Sequence, residues 1–146
     1  YIPFHLVTRE SFSQLQRRLS PDGMLALHME AVGADDPLLT GIAATLRQVF
    51  PNVQAVPASV FDNGLTNYVI FCSRRPLEPS QDPAPLDPSE AIRWQQRWDA
   101  WNRRLTPTPG VVLTDDHNPV DLWAERLNLA ERQLLHRYYG SEGVSW

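Results

Sequence analysis

The stretch MLALHMEAVGADDPLLTGIAATLRQVF, residues 24–50, decides the fold class. Its first residues, Met24 to Met29, form a nearly continuous apolar run of strand length, the pattern of a strand buried on both faces of a parallel sheet. Asp36 as the N-cap and Pro37 at the first helical position then predict a helix. The apolar stripe of this helix consists of Leu38, Leu39, Ile42, Leu46, Val49 and Phe50. A strand followed by an amphipathic helix indicates an α/β fold.

The flanking sequence continues the same pattern. Upstream, Thr8 is a predicted N-cap of an amphipathic helix that ends at the turn formed by residues 20–23. Downstream, residues 53–56 and 68–72 are two strand-like runs. The segment between them contains Asp62-Asn63-Gly64, which favours a hairpin-type connection longer than the tightest turns. The predicted order is therefore helix, strand, helix, strand, strand.

The second half of the chain predicts an extended tether followed by helices. Five prolines lie within residues 76–88, a density that excludes regular structure. Asp87-Pro88-Ser89-Glu90 has the pattern of a capping box. The helix that follows carries a stripe of Trp94, Trp98, Trp101 and Leu105. Helical sequence also reaches Tyr139, as one helix or as two short ones. We therefore divide the chain into residues 1–75, the tether 76–88 and a helical extension at 89–146.

Composition restricts the class of protein. The 146 residues have the length of one domain with a substantial core. A net charge of −4 argues against a nucleic-acid partner, because such proteins need a basic face. No stretch approaches the roughly 20 apolar residues of a membrane helix, so we expect no membrane contact by this chain. Cys72 alone excludes an internal disulfide and fits a reducing compartment, so we expect a cytoplasmic protein.

One dense polar cluster, residues 114–121, has the sequence TDDHNPVD. Its carboxylates are suited to binding the ammonium groups of a cationic substrate or to holding a general base. The alternative is a capped turn, in which Asp116 or Asn118 caps the final helices and Asp121 complements the helix dipole. The tryptophan stripe also has two interpretations, stacking on a ligand ring or packing on a surface of the domain or of a second subunit.

Several other kinds of site are not expected. The four histidines are scattered without metal-ligand spacing, so the sequence predicts no metal site. No Gly-rich phosphate-binding loop and no nucleophile elbow is present. The first residues, Tyr1-Ile2-Pro3-Phe4-His5, have neither the charged start nor the apolar run of a signal peptide. Because the chain does not start with Met, we expect it to begin inside a longer protein.

Two segments resemble the spermidine synthase family of polyamine aminopropyltransferases. The first is IPFHLVTRESF at residues 2–12, which is followed by LSPDGMLAL at residues 19–27. The second is LTDDHNPVD at residues 113–121. The likeness is greatest to bacterial spermidine-synthase-like proteins, and the two segments occur in the same order as in that family.

The resemblance implies the C-terminal half of a Rossmann-like class I methyltransferase fold plus C-terminal helices. Residues 8–19 would form the helix after strand four, residues 24–31 strand five, and residues 36–50 the next helix. Residues 52–57 and 67–74 would be strands six and seven, with strand seven antiparallel. A half sheet leaves the edge of strand five unpaired where strand four should lie. We therefore expect a homodimer, or association with the missing N-terminal half.

The resemblance also implies a transferase that moves an aminopropyl group from decarboxylated S-adenosylmethionine to an amine in polyamine biosynthesis. The family's Gly-rich cofactor loop and its catalytic Asp precede the region that these residues match. No catalytic and no cofactor-binding residue is therefore assigned here, and the fragment alone is expected to be inactive. What remains is one wall of the pocket for a small-molecule amine. Its predicted residues are Tyr1, Ile2, Pro3, His5, Asp115 and Asp116.

Two alternatives remain open at this point. Residues 56–60, Val-Pro-Ala-Ser-Val, keep only the first proline of the stretch that lines the polyamine site in the family. A methyltransferase that uses S-adenosylmethionine on a small nucleophile is therefore one alternative. The other is a non-enzymatic interaction module, in which the tether and the tryptophan helix dock a partner.

Overall fold

Three strands and four α-helices make up the part of the chain that the computed structural model describes, residues 3–60, 64–78 and 87–139. A short 3-10 helix, Phe4–Leu6, is followed by α1 (Arg9–Arg18), β1 (Met24–Val32), α2 (Pro37–Arg47), β2 (Asn52–Val60), β3 (Leu65–Ser73), α3 (Pro88–Asn102) and α4 (Val120–Tyr139). The fold is mixed α/β, and the five elements from α1 to β3 occur in the predicted order. The final helical sequence forms one helix, α4, instead of two.

The sheet has the strand order β1-β3-β2. β3 pairs antiparallel with both neighbours, and its Ile70 lies opposite Leu27 of β1 and Ala55 of β2. β1 and β2 therefore run parallel to each other on the two sides of β3. The hairpin between β2 and β3 is confirmed. Its predicted turn residues Asp62-Asn63 lie outside the described residues, whereas Gly64 has a φ of 83°, a conformation that favours glycine.

The prediction that β1 is buried on both faces of a parallel sheet is wrong. All strand pairs in the described sheet are antiparallel, and the side chains of β1 alternate in exposure. Met29 is 3% exposed whereas Met24 is 51% exposed. β1 lies at the edge of the sheet, and α2 and α4 pack against one of its faces. α3 packs on the opposite face against β2, and among the described residues Met24, on that face of β1, is exposed.

The centre of the core is formed by α2. Its predicted start is confirmed, because the carboxylate of Asp36 accepts a hydrogen bond of 2.8 Å from the backbone N–H of Leu38, with Pro37 in the first turn. Such a cap stabilises a helix by about 1 kcal/mol. The apolar stripe of α2 packs with Phe12 of α1 against the sheet. Its fully buried members include Leu39, Ile42 and Leu46.

The predicted caps of α1 and α3 are also present. Thr8 accepts a hydrogen bond of 3.2 Å from the backbone N–H of Ser11. Asp87 and Glu90 form the predicted capping box at the start of α3. The tryptophan stripe of α3 is half-buried against the sheet, and the Trp101 ring contacts the Phe71 ring edge-on at 6.2 Å between centroids.

After α3 the chain crosses back over the sheet and α2. The backbone of Leu105 exchanges two hydrogen bonds, of 2.9 and 2.8 Å, with that of Ala55. Gly110 then lies directly on α2, where an added Cβ would be 2.4 Å from the carbonyl carbon of Thr40, so only glycine fits. Finally the backbone N–H of buried Leu113 donates to Thr45 Oγ1 at 2.8 Å. This path sets the position of the residues that follow Leu113.

Candidate functional site

The acidic turn, Thr114–His117, is the centre of the candidate site. The backbone N–H of Thr114 donates to the carbonyl of His117 at 3.0 Å, and the reverse hydrogen bond is 3.2 Å long. The Thr114 hydroxyl oxygen also accepts a hydrogen bond of 3.2 Å from the His117 backbone N–H. These bonds close the turn and place Asp115 and Asp116 at its tip. Both aspartates are exposed to solvent.

Hydrogen bonds join the acidic turn to the N-terminal segment, residues 3–10. The backbone N–H of Arg9 donates to the carbonyl of Leu113 at 2.8 Å. The backbone N–H of Asp115 donates to the carboxylate of Glu10 at 3.2 Å. The described residues of the two sequence motifs, 3–12 and 113–121, therefore lie against each other, although about 100 residues separate them in the sequence.

The contact between the acidic turn and residues 3–10 is called the junction below. Asn118 connects this junction to α4. Its Nδ2 donates to the carbonyl oxygen of Phe4 at 2.6 Å, and its Oδ1 accepts a hydrogen bond of 3.2 Å from the backbone N–H of Val120. The second bond is a helix cap, so of the two capping residues considered, Asn118 performs this role. The capped-turn interpretation is therefore correct for Asn118, while Asp115 and Asp116 remain at the exposed tip.

The structure describes four of the six predicted site residues. Tyr1 and Ile2 lie outside the described residues. Pro3 is half-buried, and His5 is exposed with its ring edge-on to that of Phe4 at 5.5 Å between centroids. Since Asn118 binds the backbone of Phe4, the segment that carries Pro3 and His5 is attached to the same junction as Asp115 and Asp116.

Glu10 is the functional candidate that sequence reasoning missed. Its carboxylate accepts a hydrogen bond of 2.7 Å from the Arg9 guanidinium in addition to the bond from Asp115. The Arg9 side chain is the largest cause that lowers the pKa of Glu10, followed by hydrogen bonds from the backbone of Glu10 and of Asp115. The only sequence signal is an acidic residue in the first turn of a predicted helix, which is common for helix-dipole reasons alone.

The geometry suits recognition of a cation. Two unit charges 4 Å apart in water interact by only about 1 kcal/mol, so one exposed carboxylate is a weak ligand. Asp115 and Asp116 place two negative charges on one exposed turn with a defined backbone, and two charges attract a cationic group more strongly than one. The Arg9 charge is already paired with Glu10, so it competes little with a cationic ligand for Asp115 and Asp116.

Cys72 and the possible metal ligands are less suited to a functional site than the acidic turn. Burial raises the pKa of the Cys72 thiol to about 12, which keeps it protonated and unreactive at neutral pH. Within the three described ranges, no group of three His, Cys, Asp or Glu side chains is arranged to hold a metal ion. In the same ranges, no helix combines the length and the apolar character needed to cross a membrane.

Comparisons of the chain with protein-family models, curated proteins and solved structures find no match.

Proposed function

We propose that this chain forms the C-terminal half of a spermidine-synthase-like catalytic domain, whose complete form transfers an aminopropyl group from decarboxylated S-adenosylmethionine to an amine. The observation that carries the proposal is the junction between the two motifs that resemble this family. Asp115 binds Glu10 across 105 residues of sequence, and Asn118 binds Phe4 across 114. Two motifs that form one site in a family are expected to meet in space, and these two do.

The strand order is a second, independent support for the proposal. β3 is inserted antiparallel between two strands that are parallel to each other. The resemblance implies an antiparallel strand seven, and the antiparallel strand β3 occupies that place in the sequence. With β1 and β2 as strands five and six, the edge of β1 that pairs with no described strand is the place for strand four. The Rossmann-like methyltransferase fold is thus part of the proposal.

The chemistry of aminopropyl transfer determines which part of the site this chain supplies. In the transfer, the nitrogen lone pair of a neutral amine attacks a carbon next to the sulfonium, the carbon–sulfur bond breaks, and the thioether leaves with the bonding pair. The enzyme must hold both reactants in line and take a proton from the amine. The proton acceptor and the cofactor loop belong to the N-terminal half of the family fold. The acidic turn holds the distal ammonium group of the acceptor, and the segment with Pro3 and His5 forms the adjoining wall.

One observation favours the interaction module as a second candidate. A cavity of about 410 Å³ lies between α3 and the sheet, and aromatic side chains such as Phe71, Trp98 and Trp101 line it. The Trp94 and Trp98 rings are stacked at 5.3 Å, so together they present a broad aromatic surface. Such surfaces are common in partner binding. This candidate predicts no affinity for adenosyl sulfonium compounds.

Calorimetric titration of the product of the complete reading frame separates these functions. Tight binding of decarboxylated S-adenosylmethionine, together with binding of putrescine, is the expected result. Preference for S-adenosylmethionine assigns a methyltransferase instead, and absence of binding to both leaves the interaction module. The D115N/D116N variant tests the acidic turn, because it removes two charges with little change in shape. We expect about tenfold weaker putrescine binding and unchanged sulfonium binding. E78Q, at an exposed acidic residue outside the site, is the matched control.

A further inference from the structure

The cavity of about 410 Å³ between α3 and the sheet lies on the face of the sheet opposite to α2. Val56 and Val69 contribute apolar side chains to its floor, and the tryptophans of α3 line it from the other side. None of the described residues that line it belongs to the acidic turn or to residues 3–10. The cavity is therefore separate from the candidate site at the acidic turn, and the proposed transferase function gives it no role.

The walls of the cavity suit a planar aromatic ligand. The Trp94 and Trp98 rings are stacked, with 11° between their planes. The Trp101 ring meets the Phe71 ring edge-on, with 64° between the two planes. A planar ring among such side chains gains offset-stacked and edge-to-face contacts in addition to apolar burial, whereas an aliphatic chain gains burial alone. The walls therefore favour an aromatic ring over an aliphatic chain.

The charge at the cavity suits an anion. Arg97 is the only charged residue that lines it in the described part of the chain. Arg93 lies one helical turn earlier, and like charges four residues apart repel each other on a helix. Within the described ranges, neither arginine takes part in an ion pair. Arg104 adds a third cation, because its guanidinium lies 4.8 Å from the centre of the Trp101 ring. Positive charge is thus concentrated here, although the whole chain has a net charge of −4.

The shape of the cavity favours a small molecule over a protein partner. Protein interfaces bury about 800 Å² on each partner, over a broad surface. Pockets for small molecules are concave and have volumes of about 300–1,000 Å³, and this cavity lies in that range. Among anionic groups, a planar carboxylate matches the fork of N–H donors in a guanidinium, which forms two parallel hydrogen bonds to it.

We infer that this cavity binds a small aromatic carboxylate, with its ring system among Phe71, Trp98 and Trp101 and its carboxylate on Arg97. The ring contacts select an aromatic ligand, and the guanidinium selects a negative charge. The inference differs from the interaction-module candidate in its occupant, which is a small molecule. It also holds whether or not the complete protein is a transferase.

Calorimetric titration with three simple probes tests this inference on the product of the complete reading frame. The probes are 2-naphthoate, the neutral 2-naphthalenemethanol and the aliphatic anion octanoate. We expect 2-naphthoate to have the lowest dissociation constant of the three. The other two probes are expected to bind at least about fivefold more weakly, because each lacks one of the two kinds of contact.

Two variants separate the charge contact from the ring contacts. R97Q is expected to raise the dissociation constant of 2-naphthoate at least about fivefold and to leave that of 2-naphthalenemethanol unchanged. W98L, verified as folded by circular dichroism, is expected to weaken the binding of both naphthalene probes. R126Q, at an exposed arginine of α4, is the matched control for the loss of one positive charge.

Loss of 2-naphthoate binding alone in R97Q supports the inference, because a structural defect would weaken both naphthalene probes. Absence of 2-naphthoate binding at millimolar concentration overturns it, and this is the result expected if a second copy or another protein segment fills the cavity. Octanoate binding as tight as that of 2-naphthoate overturns the aromatic class of ligand. Equal weakening in R97Q and R126Q overturns the assignment to this cavity. If W98L does not fold, the comparison of R97Q with R126Q decides the question by itself.

Discussion

The side chain of Asn118 holds Phe4 and caps α4 at the same time. Its amide nitrogen donates to the Phe4 carbonyl at 2.6 Å, while its amide oxygen accepts from the backbone N–H of Val120 at 3.2 Å. One residue in the second motif therefore orients both the first motif and α4. The position of the acidic turn relative to residues 3–10 depends on this residue.

Replacement of Asn118 by alanine is expected to lower the free energy of unfolding by about 1–2 kcal/mol, because the helix cap and the bond to Phe4 are both lost. Urea denaturation followed by circular dichroism measures the change. Asn128→Ala is the control, since Asn128 is exposed in the middle of α4, where alanine is the better helix former. Equal stability of Asn118→Ala and the unmodified chain would contradict the assigned role.

Thr45 is expected to determine the path of the chain into the site. Its hydroxyl accepts a hydrogen bond of 2.8 Å from the buried Leu113 N–H and donates one of 2.7 Å to the Gly41 carbonyl. Thr45→Val keeps the shape but leaves a buried N–H without a partner, so we expect a loss of about 1–3 kcal/mol in unfolding free energy. Thr106→Val, at an exposed position, is the matched control and is expected to be nearly neutral. If the two variants lose equal stability, the buried hydrogen bond is not important.

Glu10 gives the junction a defined pH dependence. Its pKa in the folded chain is lowered from the ordinary value of 4.5, chiefly by the Arg9 side chain. A lowered pKa means that the folded chain favours the carboxylate, so this contribution to stability is complete above the ordinary pKa. It is lost as the pH falls through the lowered pKa. Unfolding experiments from neutral to acidic pH are expected to show a shallower decline in E10Q than in the unmodified chain. Parallel curves for the two proteins would contradict this assignment.

Cys72 is expected to be unreactive while the chain is folded. Burial raises its thiol pKa to about 12, so almost no thiolate is present at mildly alkaline pH. A thiol reagent such as DTNB is expected to label one group per chain in denaturant and almost none in native buffer, because the sequence contains a single cysteine. Rapid labelling in native buffer would show that β3 is more accessible than its burial indicates.

Local sequence signals predicted the helices well. Thr8, Asp36 and Asp87 cap helices where the sequence placed them, because a cap depends on residues within one turn of the helix. The burial of β1 could not be predicted in this way. Its apolar run is a strand, but the exposure of Met24 depends on which part of the sheet α3 covers, and that is decided by packing far away in the sequence.

The candidate site was predictable to a similar extent. A solvent-exposed turn at Asp115 and Asp116 follows from its own residues. The bond between Asp115 and Glu10 does not follow from local sequence. It requires the path of the chain over α2 at Gly110, where the close approach excludes any larger residue. Contacts over such sequence distances depend on tertiary structure, and no local pattern encodes them.

Aminopropyl transfer to an amine by the product of the complete reading frame tests the central claim most directly. The assay supplies decarboxylated S-adenosylmethionine and putrescine and measures the formation of the aminopropylated amine together with the thioether product. We predict turnover, with a KM for putrescine about tenfold higher in D115N/D116N than in E78Q or the unmodified protein. Absence of aminopropylated product, with methyl transfer from S-adenosylmethionine or with no transfer at all, would contradict the account.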